Sequence, residues 1–145
     1  MSGRDHLRPG AREIAPALLT RAVQARQLRT TMSAFLPRDL FVDPAWDMMI
    51  ELFIAAATTK RLCVKDLMLL SGESAASAIR RIDRLQAAGL LTRTPCPDDH
   101  RRVCVDLTDR GCTAMAGMLE HLFDTPFDDT TRAQPRSFTP GKEWN

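Results

Sequence analysis

The side chains best equipped for chemistry in this 145-residue chain cluster between Ser74 and Arg102. Ser74, Ala76, Ser77, Arg80, Arg81 and Arg84 share one side of a segment whose other side carries Ala78, Ile79, Ile82 and Leu85 at helical spacing. Small residues and hydroxyls at the start of a helix let its backbone approach base edges, and arginines beyond them supply charge for phosphates. Further on, Pro97-Asp98-Asp99-His100-Arg101-Arg102 is a polar turn with two adjacent arginines, and Arg93 precedes it. A guanidinium matches phosphate oxygens and guanine edges in two-point geometry. The chemistry on offer is therefore recognition of an anionic polymer. An ordinary solvated helix face is the competing reading of these arginines; the helix, turn and basic loop occurring together count against it.

Bond-making chemistry has little to work with. There is no Ser/His/acid set, no glycine-rich phosphate loop and no His-Glu-x-x-His, and tyrosine is absent. Asp98, Asp99 and His100 sit on a loop tip without a pocket, so no catalytic residue and no enzyme activity is expected. Cys96, His100 and Cys104 are spaced by four, which invites a metal. A hairpin through them sets Cys104 opposite about Arg93, away from Cys96, and a fourth ligand is missing, so no metal and no cofactor is expected. The cysteines at 63, 96, 104 and 112 include no Cys-x-x-Cys pair; reduced, mostly buried thiols are the expectation. Cys63 near a helix start and Cys96 among arginines are the candidates for a thiol sensor, with burial or neutrality favoured over that role.

Charge is unevenly spread. The formal net charge is +2, but residues 1–38 hold seven Arg against Asp5 and Glu13, and residues 73–102 hold six Arg against four acids. Of 20 basic residues only Lys60, Lys65 and Lys142 are lysine, a bias that either an arginine-rich coding habit or phosphate recognition would produce. The polar start, with Arg4, Asp5, His6 and Arg8, has no apolar core of a secretory signal, and no apolar run reaches the ~18 residues of a membrane span. A soluble, cytoplasmic protein with no membrane partner is expected.

The elements that must position the basic cluster follow from periodicity. Residues 10–36 read as one long helix with Ile14, Leu18, Ala25, Leu28, Met32 and Phe35 on a single stripe, ended by Pro37. Asp43-Pro44 opens a second helix to about Thr59 that buries Trp46, Met49, Ile50, Phe53, Ile54 and Ala57. An extended link over 60–63 leads to a third helix, Val64 to Ser71, with Leu67 and Leu70 inward, closed by Gly72. The fourth helix, about Ser74 to Ala88, follows a tight turn and stops at Gly89. Residues 90–94 and 102–107 then read as a β-hairpin with Val103, Val105 and Leu107 inward. Thr108 caps a last helix that turns Met115, Met118, Leu119 and Leu122 inward. This order is a winged helix-turn-helix, mainly α with a small β-hairpin wing. The domain reading is a flexible start at 1–10, a long dimerisation helix at 11–37, the DNA-binding domain at 38–123 and a disordered Pro-rich tail at 124–145.

Over residues 85–111 the chain resembles the MarR family of bacterial transcriptional regulators. The matching residues are Leu85, Gly89, Leu90, Leu91 and Arg93, then Asp99 and Arg101, then Leu107, Thr108 and Gly111; with the preceding helices the resemblance spans roughly residues 36–123. It implies sequence-specific binding of double-stranded DNA, more often by a repressor, with the fourth helix in the major groove. It implies that Arg101 enters the minor groove, oriented by Asp99, with Arg102 and Arg93 beside it. It also implies a homodimer through the terminal helices, a near-palindromic site, room for a small-molecule effector and a bacterial cytoplasm, with the protein nucleoid-associated when bound. The family's long C-terminal helix is missing here, which shifts the dimer role toward the first helix. Two alternatives remain: a winged helix used for protein docking, and an effector- or redox-responsive sensor whose DNA binding is switched.

Overall fold

The computed structural model describes residues 13–41, 43–58 and 60–124. The readings for residues 1–10 and for the tail beyond Asp124 lie outside them. The elements are α1 (Pro16–Phe35), α2 (Arg38–Phe41), α3 (Pro44–Ala57), β1 (Leu62–Cys63), α4 (Val64–Ser71), α5 (Ala75–Ala87), β2 (Leu91–Pro95), β3 (Val103–Leu107) and α6 (Asp109–Asp124). The strands form one antiparallel sheet in the order β1-β3-β2. Leu62 and Cys63, the second half of the link expected over 60–63, are thus part of the sheet.

α3 is the central element. Asp43 Oδ1 accepts from Ala45 N–H at 2.9 Å and Pro44 occupies the first turn, as N-terminal chemistry favours. Met48, Met49, Ile50, Leu52, Phe53, Ala55 and Ala56 are all buried, so the helix is apolar nearly all round, as a helix enclosed by its own domain must be. The expected face was narrower: Trp46 and Ile54 only line the core's edge. α1, α4, α5, α6 and β3 all pack on α3.

α1 begins at Pro16, later than expected, and ends where Leu36 turns extended ahead of Pro37. Burial divides its apolar stripe lengthwise. Ala22 and Ala25 are buried and Leu18 packs on the core, while Leu28 and Phe35 stay 59% and 82% exposed. At about 100° per residue, Leu28 and Phe35 lie some 80–100° around the helix from Leu18. Small side chains at 22 and 25 let α1 approach α3 closely, and Arg29 pins the crossing. Its Nε meets Asp47 Oδ1 at 3.2 Å, and its terminal nitrogens donate to the carbonyls of Phe41 and Asp43.

The alternation expected for β3 fails near its start. Val103 is exposed, whereas Cys104, Val105 and Leu107 are buried. In α6 Met115 and Leu119 are buried and Met118 packs on the core, but Leu122 is exposed, past the end of the core.

Candidate nucleic-acid interface

α5 is held by its buried side, where Ala78 and Ile82 are fully enclosed. Ser74 is its N-cap: the Oγ accepts from Ser77 N–H at 3.2 Å and donates to Ser77 Oγ at 3.1 Å. The turn before it follows Gly72, which closes α4 at φ +69°. Ala76, Arg80 and Arg84 point away from the core and are exposed. A shallow hollow beside them is lined by Glu73, Ser77, Arg80, Arg81, Asp83 and Arg84.

The ten residues singled out from the sequence divide by what their side chains touch. Arg81 is closed into a two-point pair with Glu73, both contacts at 2.8 Å, with Asp43 at 3.7 Å. Arg81's hydrogen bonds hold the Glu73 carboxyl below its ordinary range. Arg93 turns back onto α5, donating to Asp83 Oδ1 and Gln86 Oε1, both at 2.6 Å. It braces β2 against the helix. Arg102 donates to the Sγ of Cys63, on β1, at 3.3 Å. Arg101 differs from all three: its side chain is 91% exposed at the tip, steadied by Asp99 Oδ1 at 3.2 Å. Asp99 also accepts the Arg101 backbone N–H at 3.1 Å, and these two bonds hold its carboxyl below the ordinary range. Exposed cationic groups thus stand at Arg80 and Arg84 on α5 and at Arg101 on the hairpin tip.

Glu73, Asp83 and Gln86 position arginines of the cluster and were not anticipated. Glu73 and Arg81 are eight residues apart across a turn, and Asp83 and Arg93 ten apart across a helix end, separations that no single-element periodicity reports.

The junction between α5, the hairpin and α6 is tightly specified. Gly89 sits at φ +76°, a region L side chains avoid. Thr108 Oγ1 donates to Gly89 O at 2.5 Å and accepts from Gly111 N–H at 3.0 Å, capping α6. A Cβ on Gly111 would collide with Leu90 O, so only glycine fits there.

The cysteines depart from expectation. Cys96 and Cys104 are joined in a disulfide with Cα atoms 5.1 Å apart, while Cys63 and Cys112 lie outside it, buried. The register pairs Cys104 with Thr94, not Arg93, and continues past β2 with Cys96 N–H bonded to Arg102 O. Cys96 and Cys104 therefore share a face as diagonal neighbours, close enough to bond. Among the described residues no group of three or more His, Cys, Asp or Glu is placed to hold a metal ion. No helix among them is long and apolar enough to cross a membrane.

No protein-family model matches the chain. No curated protein matches it. Solved structures do. Wild-type MarR from E. coli, in its apo form, is 24% identical over 86% of this chain and 89% of that one, with a TM-score of 0.47. A mutant of E. coli MarR complexed with operator DNA is 24% identical over 75% and 73%, with a TM-score of 0.46. A mutant of S. aureus MepR is 15% identical over 85% and 87%, with a TM-score of 0.50. With its three-stranded sheet and helix-turn-helix, the chain has a MarR-like winged-helix fold, shared with S. aureus MepR.

Proposed function

We propose that the chain is a sequence-specific, duplex-DNA-binding transcription regulator of the MarR type, acting as a homodimer in the bacterial cytoplasm. One observation carries the reading: Arg80 and Arg84 on the outward side of α5, and Arg101 on the hairpin tip, are exposed, while Glu73 holds Arg81, Asp83 holds Arg93 and the Cys63 sulfur receives Arg102. In this reading α5 enters the major groove, where Ala76 and the serine pair permit close approach and Arg80 reads base edges. Arg101 enters a minor groove, whose narrow, electronegative floor attracts a guanidinium. Asp99 sets the direction of that guanidinium, while Arg81, Arg93 and Arg102 act as braces. A docking module would present apolar side chains on this face, and α5 presents arginine. Repression, and its relief by a small-molecule effector, belong to the same proposal.

Titration of the protein against random-sequence duplexes tests it. Binding should fall by about 10³-fold or more between roughly 50 and 200 mM salt. Arg101→Ala should weaken every duplex about tenfold or more, while Arg80→Ala should shift preference at particular base pairs by ~1–3 kcal/mol. No binding to any duplex at low salt would overturn the reading.

A further inference from the structure

Three of the four cysteines meet where the hairpin ladder runs into its loop. The antiparallel register sets Cys63 of β1 directly opposite Cys104 of β3, and Cys96 reaches Cys104 from the β2 side through the disulfide. All three are buried, yet none belongs to the main hydrophobic core, which includes only Cys112 of the four. Strand alternation explains this: Leu62 and Val105 face the core, so Cys63 and Cys104 face the other way. Opposed residues of an antiparallel pair have Cα atoms about 4.5–5.5 Å apart, inside the ~4.4–6.8 Å that a disulfide spans. Cys104 therefore has a sulfur within bonding reach on each flank and can bond only one of them at a time.

The surroundings of Cys63 suit a nucleophile. Its Sγ–H donates to Asp66 Oδ2 at 3.2 Å, and Arg102 directs a guanidinium N–H to the same sulfur at 3.3 Å. A proton acceptor and a positive charge thus bracket one thiol beside a disulfide.

We propose that Cys63, Cys96 and Cys104 form an intramolecular thiol–disulfide exchange unit, in which Cys63 displaces Cys96 from Cys104. The Cys63 thiolate attacks Cys104 Sγ; the Cys63–Cys104 bond forms as the Cys104–Cys96 bond breaks. Cys96 leaves as a thiolate and takes up a proton in place of the one Cys63 lost. Two sulfurs are oxidised and one reduced throughout, so the isomerisation needs no outside oxidant or reductant. Because all three cysteines are buried, the attacking thiol comes from within the chain. In one isomer the bond closes residues 97–103, with Arg101, into a short loop. In the other it ties β1 to β3 and leaves that loop open. An effect on DNA binding rests on the function proposed above; the exchange does not.

Disulfide mapping of the full chain tests it. The oxidised protein is held at about pH 8, near the ordinary thiol range, then acid-quenched, unfolded, alkylated with N-ethylmaleimide and mapped by mass spectrometry. A Cys63–Cys104 linkage with alkylated Cys96 is expected beside the Cys96–Cys104 form. In parallel, Cys96→Ser refolded in a glutathione redox buffer, so that the thiols meet the oxidant before they are buried, should yield the Cys63–Cys104 linkage alone. Finding that linkage in either sample supports the unit. Its absence from both, with Cys63 alkylated throughout, overturns it. Neither readout involves DNA, so loss of DNA binding and failure of exchange are told apart.

Discussion

At Arg81 the guanidinium is held by Glu73 on two nitrogens, while at Arg101 it meets one carboxylate oxygen and is otherwise exposed. The two arginines look alike in the sequence; their partners separate them. The Glu73 pair also has a pH signature. Arg81 holds the folded-state carboxyl below its ordinary value of 4.5, so the pair stabilises the fold fully above that value. The contribution is lost as pH falls through the depressed folded value. The pair is partly solvent-exposed, which limits it to about 1 kcal/mol or less. Thermal unfolding of Glu73→Gln should therefore run below wild type near neutrality and converge with it in acid. An equal gap at all pH values would mean the pair contributes nothing through ionisation.

Glycines in α6 offer a paired test at the scale of elements. Gly111→Ala forces a Cβ against Leu90 O and should lower stability by about 2 kcal/mol or more, several degrees in Tm. At Gly117 nothing stands within 4 Å, so Gly117→Ala should raise stability by ~0.5–1 kcal/mol through helix propensity. Calorimetry of the two variants checks both signs. Most elements were legible because their signals are local: Asp43-Pro44 and Ser74 open helices, and Gly72 and Gly89 end them. α2 was missed because four residues carry no period, and β1 because a two-residue strand exists only through its pairing with β3. The disulfide was missed because a one-residue difference in register decides which side chains are diagonal neighbours. Arg80, Arg84 and Arg101 were legible as an exposed basic set. The acids that occupy Arg81 and Arg93 were not, since those pairs cross element boundaries.

For the molecule as a whole, among the exposed large apolar residues Leu69 lies on α4 and Val103 on β3, while the rest are Val23, Leu28, Phe35, Leu36, Leu40 and Phe41 on or beside α1 and α2, with Leu122 on α6. A second copy covering them is the association the proposed function requires, placing two α5 helices about 34 Å apart on a near-palindrome. Phe35→Asp with Leu28→Asp should halve the sedimenting mass at micromolar concentration while changing protomer stability by only ~0.5 kcal/mol per site. A wild type that sediments as a monomer would remove the dimer from the proposal. The Thr108 junction ties α6 to the end of the helix that carries the basic face. One hydroxyl bonds both the carbonyl of Gly89, which follows α5, and the amide of Gly111 in the first turn of α6, so the two helix ends share one pin. α6 extends some 24 Å from that pin at ~1.5 Å per residue, so any displacement imposed at its far end would reach the end of α5 as a smaller one.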